Sequence, residues 1–104
     1  MTEIGFLILQ LPLAGSQYHA LPEIGERLRI GDRLSLCREP DHPHDPRAIR
    51  VDWQGRAIGY LPRALNRPLA AAMDAGTRLF ARVIALRLAA SPWQRVELAV
   101  YAAL

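Results

Sequence analysis

The segment REPDHPHDPR, residues 38–47, limits the fold more than any other part of the chain. Prolines at 40, 43 and 46 remove three backbone donors and fix three φ angles, and the aspartates between them favour turns. No regular helix or central strand tolerates that pattern. The flanks, by contrast, are regular. After a turn at Gly31-Asp32, Arg33 to Arg38 alternates as a strand with Leu34 and Leu36 on one face. Arg47 to Asp52 resumes the alternation, with Ile49 and Val51 inward and Arg50 and Asp52 outward. The chain therefore reads here as strand, proline-stiffened loop, strand.

The same period extends the pattern in both directions. DWQG supplies a hairpin turn, and Arg56 to Leu61 is the returning strand. Upstream, Ile4 to Ala14 reads as a buried strand that stops at AGSQY. Pro68 would disrupt a helix running continuously from Pro62. The expectation is one short turn, then a helix from about Arg67 to Ala75, capped by Asn66 and ended by Gly76. Leu65, Leu69, Ala72 and Met73 would form its buried stripe. Thr77 to Leu88 and Arg95 to Ala102 read as two more strands joined across AASPWQ. Five or six strands and one main helix in 104 residues, half of them hydrophobic, predict a single domain over residues 1–104. Its class is mainly β (α+β): a small closed or partly closed barrel.

Charge and cysteine usage narrow the setting. All thirteen basic residues are arginine, for a net charge of +3. Guanidinium forks bind phosphate oxygens in pairs and stack on bases, so an anionic partner fits the composition. Cys37 is alone and cannot form an internal disulfide, which points to a reducing, cytoplasmic setting. The apolar opening lacks a basic start and carries Glu3, Gln10 and Pro12, unlike a secretory signal. No stretch is long enough to span a membrane.

Cys37, His42, His44 and Asp45 all carry ligating atoms, but structural zinc takes four ligands in recognisable pairs, and one cysteine with no second cluster does not supply them. Cys37 with either histidine lacks an orienting third group, and Ser16 and Ser35 lack a nucleophile-elbow setting. No glycine-rich loop precedes a helix to cradle phosphates. The expectation is no metal, no cofactor and no catalytic residue. A binding loop remains: its prolines preset the backbone and reduce the entropy lost when a ligand orders it. Asp45 could accept from a ligand hydroxyl or serve as a structural turn residue.

LCREPDHPHDPRAIRV followed by GRAIGYLP resembles the signature of the HIRAN domain family, and AGSQY and LAAAMDAG resemble its early G-x-x-Y element and its helix leading to a glycine. The likeness spans roughly residues 5 to 101. It implies a small OB-like or SH3-like β-barrel of five to six strands that binds single-stranded DNA, with capture of a 3′ end as the finer expectation and DNA repair or replication-fork processing as the setting. On that likeness Tyr18 and His44 supply stacking rings, Asp45 takes a 3′-hydroxyl, Arg63 holds phosphate, and Trp93 matches an aromatic near the last strand. Gln17 stands where the 3′-end binder has arginine, His44 where tyrosine is common, and His42 and Arg47 where asparagines are usual; Gln17 and Arg47 are counted with the nucleic-acid-binding residues. No helicase lobes fit in 104 residues, so a helicase or translocase would act in trans.

Structural readings stand beside these: core or rim packing for Tyr18, Tyr60 and Trp93, and a solvated helix-start arginine for Arg63. The alternative function is a protein-interaction module on the same barrel, as a monomer or a weak homodimer formed by adding the apolar last strand to another copy.

Overall fold

The computed structural model describes residues 3–24, 26–87 and 95–104, with Gln17 described as backbone only. Six strands form one antiparallel sheet: β1 (Gly5–Pro12), β2 (Arg33–Glu39), β3 (Ala48–Trp53), β4 (Arg56–Tyr60), β5 (Leu79–Leu86) and β6 (Val96–Ala103), in the order β1-β6-β5-β2-β3-β4. Two short helices, α1 (Leu21–Ile24) and α2 (Arg67–Asp74), complete the fold. The mainly-β class follows. The barrel does not close, however. Among the described residues its two edges are joined by one isolated bridge, where Ala14, just past β1, exchanges two 2.9 Å backbone hydrogen bonds with Tyr60.

Gly59 makes that bridge possible. A Cβ there would lie 2.5 Å from the Ala14 carbonyl oxygen and 2.8 Å from Leu13 Cδ1, so only glycine lets the chain cross β4 so closely. The β3–β4 hairpin turns through Gln54 and Gly55, both at positive φ, as a two-residue turn that matches strand twist requires.

The core fills the concave side of the sheet. Leu34, Ile49, Val51, Ile58, Ala81, Val83, Leu98 and Val100 come from the strands, and Leu69 and Ala70 from α2. Each fully buried aliphatic side chain of Val, Leu or Ile size contributes roughly 1.5–3 kcal/mol. Leu21, Ile24 and Leu28 add a buried patch from the segment after β1, for which the sequence offered no expectation. On the other side of the sheet Phe80 is also buried, stacked 5.2 Å from Tyr101 with the guanidiniums of Arg33 and Arg82 over its ring.

Several expectations need correction. β1 begins at Gly5 and is only partly buried: Leu11 is in the core, while Phe6, Leu7 and Ile8 are exposed, because β1 is an edge strand with a bulge between Leu7 and Leu9. The last strand, β6, lies between β1 and β5 and has no free edge for another copy. The buried stripe of α2 is Leu69 and Ala70, with Met73 half-buried; Leu65 is exposed. Asn66 precedes α2 as expected, yet its side chain does not cap the helix. Among the described residues, no helix is long and apolar enough to cross a membrane. The AASPWQ connection, including Trp93, lies outside the described residues.

Candidate functional site

The proline-rich loop between β2 and β3 is held by its own polar groups. The His42 amide donates to the Glu39 carbonyl at 3.1 Å, and the His44 amide donates to Nδ1 of the His42 ring at 3.1 Å. The Arg47 amide donates to Oδ1 of Asp45 at 3.0 Å, closing the aspartate turn that this residue type favours. Arg38, at the end of β2, fastens the loop from below. It donates to the carbonyls of Ala48 (2.8 Å) and Pro46 (3.0 Å) and forms a two-pronged pair with Asp74 on α2 (2.9 and 3.1 Å). That guanidinium also holds the Asp74 carboxyl below its ordinary range.

Asp45 is the buried centre of the site. Besides the Arg47 amide, its Oδ2 accepts from the side-chain amide of Asn66 at 2.8 Å, and Asn66 is fully buried. The side chain is thus turned toward Asp45: its Nδ2 donates to the carboxylate, and the Oδ1 that a helix cap would have used as acceptor is buried without a partner among the described residues. Burial pushes the Asp45 carboxyl up. The bonds from Asn66 and Arg47 and the charges of Arg63 and Arg47 outweigh it, leaving Asp45 below the usual carboxylate range. A carboxylate offers about four lone-pair directions, and these two donors use only two of them.

A cavity of about 220 Å³ opens over this carboxylate. The loop contributes His42, His44 and Asp45; β4 and the residues after it contribute Tyr60, Leu61 and Arg63; Ala14 and Gly15, beside the bridge, form the third wall. The Tyr60 ring lies between His19 and His42, 5.4 Å from each, and His42 lies 6.0 Å from His44. The Tyr60 hydroxyl donates to Glu39, and burial together with that carboxylate pushes its pKa up to about 12. Glu39 is bound in turn by Arg50 at 2.9 Å, which also grips Asp52 at 2.8 and 3.0 Å. A second, more open cavity of about 590 Å³ shares His42 and Tyr60 and continues along Arg38 to Pro43.

Of the residues singled out from the sequence, His44, Asp45 and Arg63 line the one cavity. Tyr18 does not line it. It is 81% exposed on a single 3-10 turn, Ser16–Tyr18, that follows Gly15. Arg47 sits two residues past Asp45, with its Nε buried and unpaired among the described residues. The Gln17 side chain and Trp93 lie outside the described residues.

Sequence reasoning missed the roles of Tyr60, His42, Asn66 and Arg38. Tyr60 was read as packing and His42 as a solvated loop histidine. Among the described residues, no three His, Cys, Asp or Glu side chains gather as a metal site. Cys37 is half-buried, paired in register with Arg50.

Comparisons agree with this architecture. The sequence matches the HIRAN domain family over residues 7–104. It is 32% identical over 72 residues to a Fanconi-associated nuclease 1 homolog of Oryza sativa subsp. japonica, a stretch that is 65% of this chain and 7% of that protein. A crystal structure of a Lactobacillus plantarum protein superposes with a TM-score of 0.86 at 28% identity, covering 98% of both chains. The crystal structure of the HIRAN domain of human HLTF superposes with a TM-score of 0.68 at 21% identity, covering 90% of this chain and 74% of that one.

Proposed function

Because this chain belongs to the HIRAN domain family, we propose that it is a nucleic-acid-binding module whose cavity over Asp45 receives the end of a single DNA strand. The observation that carries the reading is the state of Asp45. It is an ionised, buried carboxylate, locked by two donors, at the base of an open cavity with Arg63 at the rim. A terminal 3′-hydroxyl donates to such an oxygen, whereas a terminal phosphate cannot donate and is repelled by it. The ring of His44 offers a stacking face, and Tyr18 on its exposed turn offers a second. Arg63 and Arg47 supply guanidinium charge for the backbone phosphates behind the end. Gln17 and Trp93 complete the proposed set of contacts. The module recognises and holds; an unwinding motor for repair or fork processing would come from a partner helicase or translocase.

Fluorescence anisotropy with a short single-stranded oligonucleotide tests this. The free 3′-hydroxyl end is expected to bind at least tenfold more tightly than its 3′-phosphorylated counterpart, and Asp45→Ala to abolish the difference. Equal binding of both ends by the unmodified chain removes the end-capture reading. No binding at low salt removes the nucleic-acid reading altogether.

A further inference from the structure

The free edge of β1 stands apart from the cavity in position and chemistry. β1 pairs only with β6, so along Gly5–Leu9 its outward backbone groups have no partner among the described residues. Ile4, Phe6, Leu7 and Ile8 lie along that edge strand, between 44% and 68% exposed. Leu7 lies across from Tyr101 and Phe6 from Ala102, so the apolar side chains stand on both faces of the strand. A flat partner would cover one face; an added strand gives the side chains on both faces a cross-strand neighbour.

We propose that this edge is where a second copy of the chain docks, β1 against β1 about a two-fold axis. Three observations select a second copy. First, no charged side chain lies between Ile4 and Leu13, so a two-fold contact sets neutral surface on neutral surface. The nearest acid, Glu3, is already paired with Arg33 and brings no unpaired charge to the seam. Second, Ile4, Phe6, Leu7 and Ile8 are apolar and 44–68% exposed, and pairing β1 with β1 gives them apolar cross-strand neighbours from the other copy. Third, the protective features that usually blunt a sheet edge are nearly absent: Gly5–Leu9 has no charge and no proline, and the bulge at Ile8 turns only the later part of the strand away. Pairing is therefore centred on Phe6 and Leu7.

Sedimentation velocity across a concentration series is the experiment. The chain, 11.6 kDa as a monomer, is expected to sediment at twice that mass at high concentration and dissociate on dilution. Leu7→Lys is expected to weaken self-association at least tenfold, with an unchanged circular dichroism spectrum and unchanged oligonucleotide affinity. A chain that stays monomeric at several hundred micromolar overturns the proposal, as does a dimer that survives the Phe6→Lys, Leu7→Lys double variant. Should those variants fail to fold, hydrogen exchange of the unmodified chain decides. Protection of the Gly5–Leu9 amides that grows with concentration supports the contact, and protection independent of concentration refutes it.

Discussion

At one edge of the sheet, the five-residue strand β4 is bridged by Ala14 and receives a 3.0 Å hydrogen bond from the Ala20 amide to the Ala57 carbonyl. At the other edge, the eight-residue strand β1 carries exposed leucine, isoleucine and phenylalanine, and none of the described residues pairs along the outer side of its first half. Both edges offer the same backbone groups. They differ in what the chain places over them. Covering β4 brings Gly15, Tyr60 and Arg63 around a buried carboxylate and converts an edge into a polar cavity. Leaving β1 open keeps it as an apolar strand with unused hydrogen bonds. One edge is thus built into a polar cavity and the other left as an apolar strand.

The sharpest way to break this contrast is to uncover β4. In Gly59→Val the new side chain meets a backbone oxygen that cannot withdraw without breaking the Ala14–Tyr60 bridge. The expected destabilisation is at or above the top of the roughly 1–3 kcal/mol range for overpacking. Urea denaturation measures it, and a change below about 0.5 kcal/mol, the ordinary surface range, would mean the bridge is incidental.

Asn66→Ala comes next. It leaves Asp45 buried with one oxygen unpartnered, for an expected loss of about 1–3 kcal/mol at neutral pH. The sign of its pH dependence follows from the lowered folded-state value of Asp45. The stabilisation is complete above the unfolded carboxyl value of about 3.9 and is lost as pH falls through the lower folded value. The gap between variant and unmodified chain should therefore narrow below about pH 4. A gap constant down to pH 2.5 would show that the amide does not act through the ionised carboxylate.

Arg63→Ala is the mildest for the fold. Its side chain is exposed and has no hydrogen-bond partner among the described residues, so stability should change by less than about 0.5 kcal/mol. Oligonucleotide binding should weaken for every sequence, with the salt slope falling by about 0.7 if one phosphate contact is lost. An unchanged slope would move the phosphate contact elsewhere.

The middle of the fold was legible because period and punctuation agree there. Leu34, Ile49 and Val51 alternate inward as expected, and the prolines of residues 40–46 forced the loop that carries His44 and Asp45. The edges were not legible, since apolar composition reports what avoids water and not which strand lies at the margin. Hence β1 looked buried throughout. Leu21 and Ile24 escaped notice because a helix of four residues shows no measurable period; they are buried only by what they cover. Asn66 carried a helix-cap signature, but a buried carboxylate 21 positions away drew its amide, and no local pattern records such a partner. For Asp45, turn former and ligand acceptor looked like rivals in the sequence. In the fold the turn uses one lone pair of Oδ1 and leaves others free, so the two roles are compatible.

The staple formed by Arg38 has a consequence for how composition should be weighed. A guanidinium that gives its donors to two main-chain carbonyls and one carboxylate is no longer on offer to a polyanion, and Arg33, Arg50 and Arg56 are similarly engaged with Glu3, Asp52 and Glu23. Much of the arginine in this chain acts as mortar. With at least four of the thirteen arginines tied in this way, the binding proposed above should respond to ionic strength more gently than the full arginine count would suggest.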